Sequence, residues 1–257
     1  YITSHPWGRG LANSSSGAAK YPQDEWDLDN IIPTTYNLTT ITNKPAIRLK
    51  ATLRRDTPND ESPILSSIAV TLEIDNYTYH IDRTNAPTKY DYEVPYLRQT
   101  DVPEIGSIIC SPTSATMLLL YKGLDFSNYT NDQYPHRYMA GIVKDHNTGI
   151  YGAWAYNTIA MGSFGYDAYV KRMYSIDELL DHLDNIGPIS ASVKGTMVGV
   201  HHPVWTTSGH LIVIRGYEYK DDGLYIIAND PFKVGVFEEY KVENFERVWR
   251  FAAYVIE

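Results

Sequence analysis

Residues 210–230 constrain this chain more than any other stretch. His210-Leu211-Ile212-Val213-Ile214-Arg215-Gly216-Tyr217-Glu218 is an apolar, β-branched run. Asp221-Asp222-Gly223 has turn chemistry, and Leu224-Tyr225-Ile226-Ile227-Ala228-Asn229-Asp230 is the return. Asp-Gly between two such runs predicts a tight antiparallel hairpin. A hairpin brings the start of its first strand beside the end of its second, so His210 and the Asn229-Asp230 pair fall at one end. An acceptor there can bind the second imidazole nitrogen, fix the tautomer and stabilise an imidazolium. Spacing alone does not choose between Asn229 and Asp230, and Asn-Asp-Pro is also ordinary turn chemistry.

Other runs extend the sheet. Ile189–Val193, Val234–Tyr240 and Phe251–Ile256 read as strands. Upstream, Ser111-Pro112 opens and Gly123 closes an apolar run that reads as a buried helix, with proline in the turn where its missing N–H costs nothing. Ser175 with Glu178 three residues on is a capping box that opens a second helix, and Gly187-Pro188 ends it. Helix first and sheet afterwards gives an α+β class, with an N-terminal helix packed on an antiparallel sheet.

The first forty-five residues are rich in Ser, Thr, Asn, Pro and Gly. Ala46–Arg54 then alternates apolar and polar residues, and Pro63–Ile74 is a second strand-like run. Residues 1–88 therefore read as a β-rich segment, the end of a larger β domain, with residues 89–257 as the catalytic domain. Two strands are too few to stand alone.

The formal net charge is −9, and no basic run exceeds Arg54-Arg55 or Lys171-Arg172. That balance excludes a phosphate-backbone partner, which needs concentrated Lys and Arg. No apolar stretch is long enough to span a bilayer. Tyr1 to Arg9 show no basic start followed by an apolar run. The many tyrosines, 22 of them, fit an extracellular or cell-surface location.

The chain has one cysteine, Cys110, so it forms no internal disulfide and no cysteine-based zinc site. Cys110 immediately precedes the predicted helix, where exposed N–H groups and the helix dipole favour a thiolate. A small apolar core residue would suit that position equally well. Gln99, on an extended segment eleven residues earlier in the chain, could donate to a developing oxyanion beside the Cys110 N–H. The adjacent His201-His202 suggests a metal, but no His, Asp or Glu stands at ligand spacing beside it, so the pair reads as solvated and no cofactor is implied. Tyr151, Trp154 and Trp205 are aromatic candidates for a cleft lining, Trp154 fitting a core position better.

The order amide donor, cysteine at a helix start, histidine at a strand start, acid one hairpin later is the papain-like order. Val94-Pro95-Tyr96-Leu97-Arg98-Gln99, Cys110-Ser111-Pro112-Thr113-Ser114, Tyr151–Thr158, Gly187–Ser192, Ser208–Tyr217 and Asn229-Asp230-Pro231 resemble the papain-like cysteine peptidases of the double-glycine leader peptidase (bacteriocin-processing) type, in their stand-alone bacterial form. The resemblance covers about residue 90 to the end. It implies Cys110 as nucleophile, His210 as base, Asp230 rather than Asn229 as orienter, and Gln99 in the oxyanion hole. Ser111 departs from the family, where glycine commonly follows the cysteine. The expected activity is hydrolysis of amide bonds in a peptide or peptide-bearing polymer. Amidase or transpeptidase chemistry on cell-wall peptides, or a binding cleft with an idle triad, are the alternatives.

Overall fold

A computed structural model describes residues 57–59, 69, 71, 76–146, 148–232 and 237–257. The expected strands at 46–54 and 63–74 lie almost wholly outside these residues. From residue 89 the order is β1 (Lys89–Asp91), α1 (Cys110–Tyr121), α2 (Pro135–Val143), α3 (Trp154–Ser163), β2 (Ala168–Arg172), α4 (Ile176–Asn185), β3 (Ile189–Met197), β4 (Trp205–Lys220), β5 (Gly223–Asn229), β6 (Glu238–Lys241), α5 (Val242–Val248) and β7 (Trp249–Ile256).

The strands form one antiparallel sheet in the order β2-β7-β3-β4-β5-β6. The hairpin is β4–β5, with Lys220 opposite Gly223. β4 is long enough to serve two neighbours along one edge: β3 takes Trp205–Ile214, and β1 takes Gly216–Glu218. Gly216 makes room for β1, because a Cβ there would stand 2.0 Å from the Tyr90 carbonyl oxygen.

Alternation along the strands divides the core. Leu211 and Val213 of β4, with Tyr254 and Ile256 of β7, face α1, α2 and α3. Ile212, Ile214, Ala253 and Val255 face α4 and α5, meeting Leu179, Leu183 and Phe245. The period of two thus gives the sheet two apolar faces, each covered by helices. α1 is buried along most of its length, from Ser111 to Leu119. A helix apolar on all sides belongs in an interior, and each of Met117, Leu118 and Leu119 contributes roughly 1.5–3 kcal/mol by leaving water.

Several expectations need correction. β3 runs on to Met197, the strand expected at Val234–Tyr240 is Glu238–Lys241, and α2, α3, α5 and β2 are additional elements. Gln99 opens a 3₁₀ turn, Gln99–Asp101, instead of ending an extended segment. Residues 77–92 pack on the α4 side: Tyr79 OH donates to Asp181 at 2.8 Å, Arg83 pairs with Asp184 at 2.9 Å, and Tyr92 OH donates to the Leu183 carbonyl at 2.6 Å.

Candidate active site

Three elements converge at one end of the hairpin. Cys110 is the first residue of α1, His210 lies on β4, and Asp230 follows the last residue of β5. His210 Nε2 is 2.7 Å from Asp230 Oδ1, and both residues are buried. The same carboxylate oxygen accepts the Phe232 N–H at 2.9 Å. The Asn-Asp-Pro turn and the contact to His210 are therefore one structure: the turn holds the carboxylate that holds the ring.

With Nε2 taken by Asp230, Nδ1 is the ring nitrogen left for Cys110, whose side chain hydrogen-bonds to His210. Burial alone would push the Cys110 thiol up. The hydrogen bond and charge of His210, with the backbone N–H groups of Leu211 and Ser111, outweigh burial and bring it below its ordinary value. Burial would lower the His210 imidazole, but the charge and hydrogen bond of Asp230, then those of Cys110, carry it well above its ordinary value. The two shifts run in opposite directions and describe one state, a thiolate beside an imidazolium.

Gln99 is joined to this group by two short links. Its backbone N–H donates to the Pro231 carbonyl at 2.8 Å, tying its turn to the residue after Asp230. Its Nε2 donates to the Gly106 carbonyl at 2.8 Å, in the loop that leads to Cys110. One Nε2 hydrogen remains for another acceptor. Gly106 permits this close turn, since a Cβ there would lie 2.6 Å from both the Gln99 and Val102 carbonyl oxygens. His136 of α2 braces the turn from outside: its Nε2 is 3.2 Å from the Arg98 carbonyl.

Asn229 is turned away from the imidazole. Its Nδ2 donates to the Val94 carbonyl at 3.0 Å and its Oδ1 accepts from Arg215 at 3.5 Å. Of the three aromatic candidates, Trp205 meets His210, edge to face with centroids 5.2 Å apart. Phe232, which the sequence did not single out, stacks on Trp205 at 5.8 Å and also edges His210 at 6.5 Å. Tyr151 packs with Val102, Ile109 and Ala140, and Trp154 packs into the α1–α3 core.

The His201-His202 pair is not simply solvated. His202 Nδ1 is 2.8 Å from Glu238 and His201 Nε2 is 3.3 Å from Glu239. Glu238 also accepts the backbone N–H groups of Val200, His201 and His202. These carboxylates come from β6, so local spacing could not reveal them. Among the described residues no cluster of three or more His, Cys, Asp or Glu is arranged to hold a metal ion. No helix among them is long and apolar enough to cross a membrane.

A buried helix that presents a thiol at its start, packed on an antiparallel sheet that presents an imidazole–carboxylate pair, is the α+β architecture of papain-like cysteine peptidases. Residues 92–256 match the Peptidase_C39 like family, and the chain belongs to it: it is a cysteine peptidase. Among solved structures it is similar to a double glycine motif protease from an AMS/PCAT transporter in complex with the leader peptide, at 17% identity and TM-score 0.42 over 65% of this chain and 93% of that one. It is also similar to a protein described as a C39-like peptidase from Bacillus anthracis, at 18% identity and TM-score 0.48 over 66% of this chain and 98% of that one. No curated protein matches the chain.

Proposed function

We propose that the chain hydrolyses peptide amide bonds through Cys110, His210 and Asp230, outside the cell or at its surface, on a peptide or a peptide-bearing polymer. The observation that carries this reading is the thiol hydrogen-bonded to an imidazole whose other nitrogen is 2.7 Å from a buried carboxylate.

The steps follow from those groups. The Cys110 thiolate attacks the substrate carbonyl carbon, and the carbonyl π pair moves onto oxygen. The free Nε2 hydrogen of Gln99 and the Cys110 N–H at the open end of α1 stabilise that oxyanion. As the tetrahedral adduct collapses, the C–N bond breaks and His210 gives its proton to the leaving amine, which leaves a thioester on Cys110. Neutral His210 then takes a proton from water, the hydroxyl adds to the thioester, and collapse frees the acid and restores the thiolate–imidazolium pair. Asp230 stays ionised throughout and holds the ring in the Nε2–H orientation. Trp205 and Phe232 cover the His210–Asp230 contact and keep water from competing for it.

The test is turnover. The whole chain and its Cys110→Ala variant are incubated separately with a generic peptide library and with purified cell-wall peptides, and products are read by mass spectrometry. New termini formed by the wild type alone, with a thioester on Cys110 trapped by acid quench, support the reading. Cleavage only of wall peptides narrows it to an amidase, and exchange of the acyl group onto an added amine makes it a transpeptidase. Equal products from both proteins contradict it.

A further inference from the structure

Behind the nucleophile stands a second polar pair that the proposed steps do not use. Ser111 Oγ and Tyr254 OH are 2.7 Å apart. Both residues are buried, Ser111 in the first turn of α1 and Tyr254 on β7. Two hydroxyls facing each other in an apolar interior satisfy one another, and such a bond fixes the groups that carry it.

What it fixes is a donor to the sulfur. The Cys110 thiolate accepts two backbone N–H groups, from Ser111 and from Leu211. The Leu211 peptide is held on its other side by α1, because Ser114 Oγ donates to the Leu211 carbonyl at 3.1 Å. The Ser111 peptide is held through the Ser111 side chain, which is anchored to β7. Two serines three residues apart thus pin the helix start to two strands, β7 and β4, that flank β3. Each serine bears on one of the two amide donors.

The chemistry of Tyr254 suits an anchor. Burial holds its phenol protonated far above the ordinary range; the Ser111 hydrogen bond opposes this and the Cys110 charge adds to it. It therefore remains a neutral O–H at every working pH. The pair has two hydroxyl protons and one mutual hydrogen bond, so one O–H remains beside a thiolate whose charge reaches the phenol.

We propose that Tyr254 and Ser111 are positioning residues for the nucleophile: Tyr254 anchors the Ser111 hydroxyl to β7, which keeps the Ser111 N–H trained on the Cys110 sulfur. The inference rests on Cys110 being the nucleophile, and it gives a use to the serine that stands where relatives commonly carry glycine.

The experiment follows alkylation of Cys110 by iodoacetamide against pH in the whole chain, for the wild type, Tyr254→Phe, Ser111→Ala and the double variant. Each single variant moves the alkylation midpoint to higher pH and slows alkylation at pH 6 about three- to ten-fold. The double variant shifts no further than the larger single, because both changes remove one interaction. Its melting temperature stays near the wild type's, since neither hydroxyl is left unpaired. Melting temperatures that fall while every alkylation profile overlays the wild type's overturn the proposal and leave the pair as packing. Slow alkylation of the wild type itself defeats the nucleophile reading beneath it.

Discussion

Asn229 and Asp230 are adjacent, yet they serve opposite sides of the sheet edge. Asp230 Oδ1 is 2.7 Å from His210 Nε2, whereas Asn229 Nδ2 reaches back 3.0 Å to the Val94 carbonyl. Strand alternation makes this division: one side chain points to the imidazole, and the other ties the segment that leads to Gln99. Substitutions at the two positions should therefore fail in different ways.

Asp230→Asn keeps the size of the side chain and removes the charge that holds His210 protonated. With burial left as the larger influence, the imidazole falls toward and below its ordinary value. kcat/KM falls on the order of 10²-fold, and the alkaline limb of the pH–rate profile moves toward neutrality. Asn229→Ala leaves that limb in place and lowers stability by about 1–2 kcal/mol, through the unpaired Val94 carbonyl. Steady-state kinetics across pH, with denaturant unfolding of each variant, separates the two outcomes.

Gln99→Ala removes a donor used only when the oxyanion forms. kcat falls on the order of 10²-fold while KM changes little. Gly106→Ala reproduces much of the loss without touching the amide, because the new Cβ would stand 2.6 Å from the Gln99 carbonyl oxygen. Kinetics of the two variants on one peptide substrate checks both statements.

Trp205→Ala opens the His210–Asp230 contact to water and raises the local dielectric. The expected result is a loss of about ten-fold in kcat/KM, with a stability decrease of roughly 1–3 kcal/mol for a half-buried aromatic. Activity lost in proportion to unfolding alone contradicts the shielding role.

His182 of α4 supplies a prediction about acid stability. Burial, with Lys171 adding, holds its imidazole down at about 4. Its folded pKa lies below the unfolded value, so between those two values the unfolded chain binds more protons and stability falls as pH falls. The contribution is whole above about 6.5 and is lost as pH drops toward 4, a change of roughly 2–3 kcal/mol. His182→Leu flattens that part of the curve, which urea unfolding between pH 4 and 7 measures.

Much of this arrangement could be read from the sequence where local chemistry decides. The β4–β5 hairpin follows from Asp221-Asp222-Gly223, and α1 from its proline and glycine brackets. α4 follows from Ser175, whose Oγ accepts the Glu178 N–H at 3.1 Å. Glu178 reaches one residue further back than a simple capping box, to the Tyr174 N–H at 2.8 Å. What stayed hidden depends on distant partners. α5 has seven residues and no side-chain cap, so the core beneath it, not its sequence, makes it a helix. β2 is half-buried along its whole length and shows no alternation. The Glu238 and Glu239 partners of His202 and His201, Phe232 against His210, and Tyr254 against Ser111 all arise from tertiary packing. For Gln99 the residue was legible but its turn was not, because the turn is closed by Pro231 from beyond β5.

The most direct test of the central claim is the ultraviolet absorbance of the Cys110 thiolate, titrated as the difference between the wild type and Cys110→Ser. A thiol held below its ordinary value by His210 keeps its thiolate signal through neutrality and into mild acid, and His210→Ala removes that signal at pH 7. A thiolate that appears only above about pH 8.5, the range of a free cysteine, and does so equally in both proteins, contradicts the account.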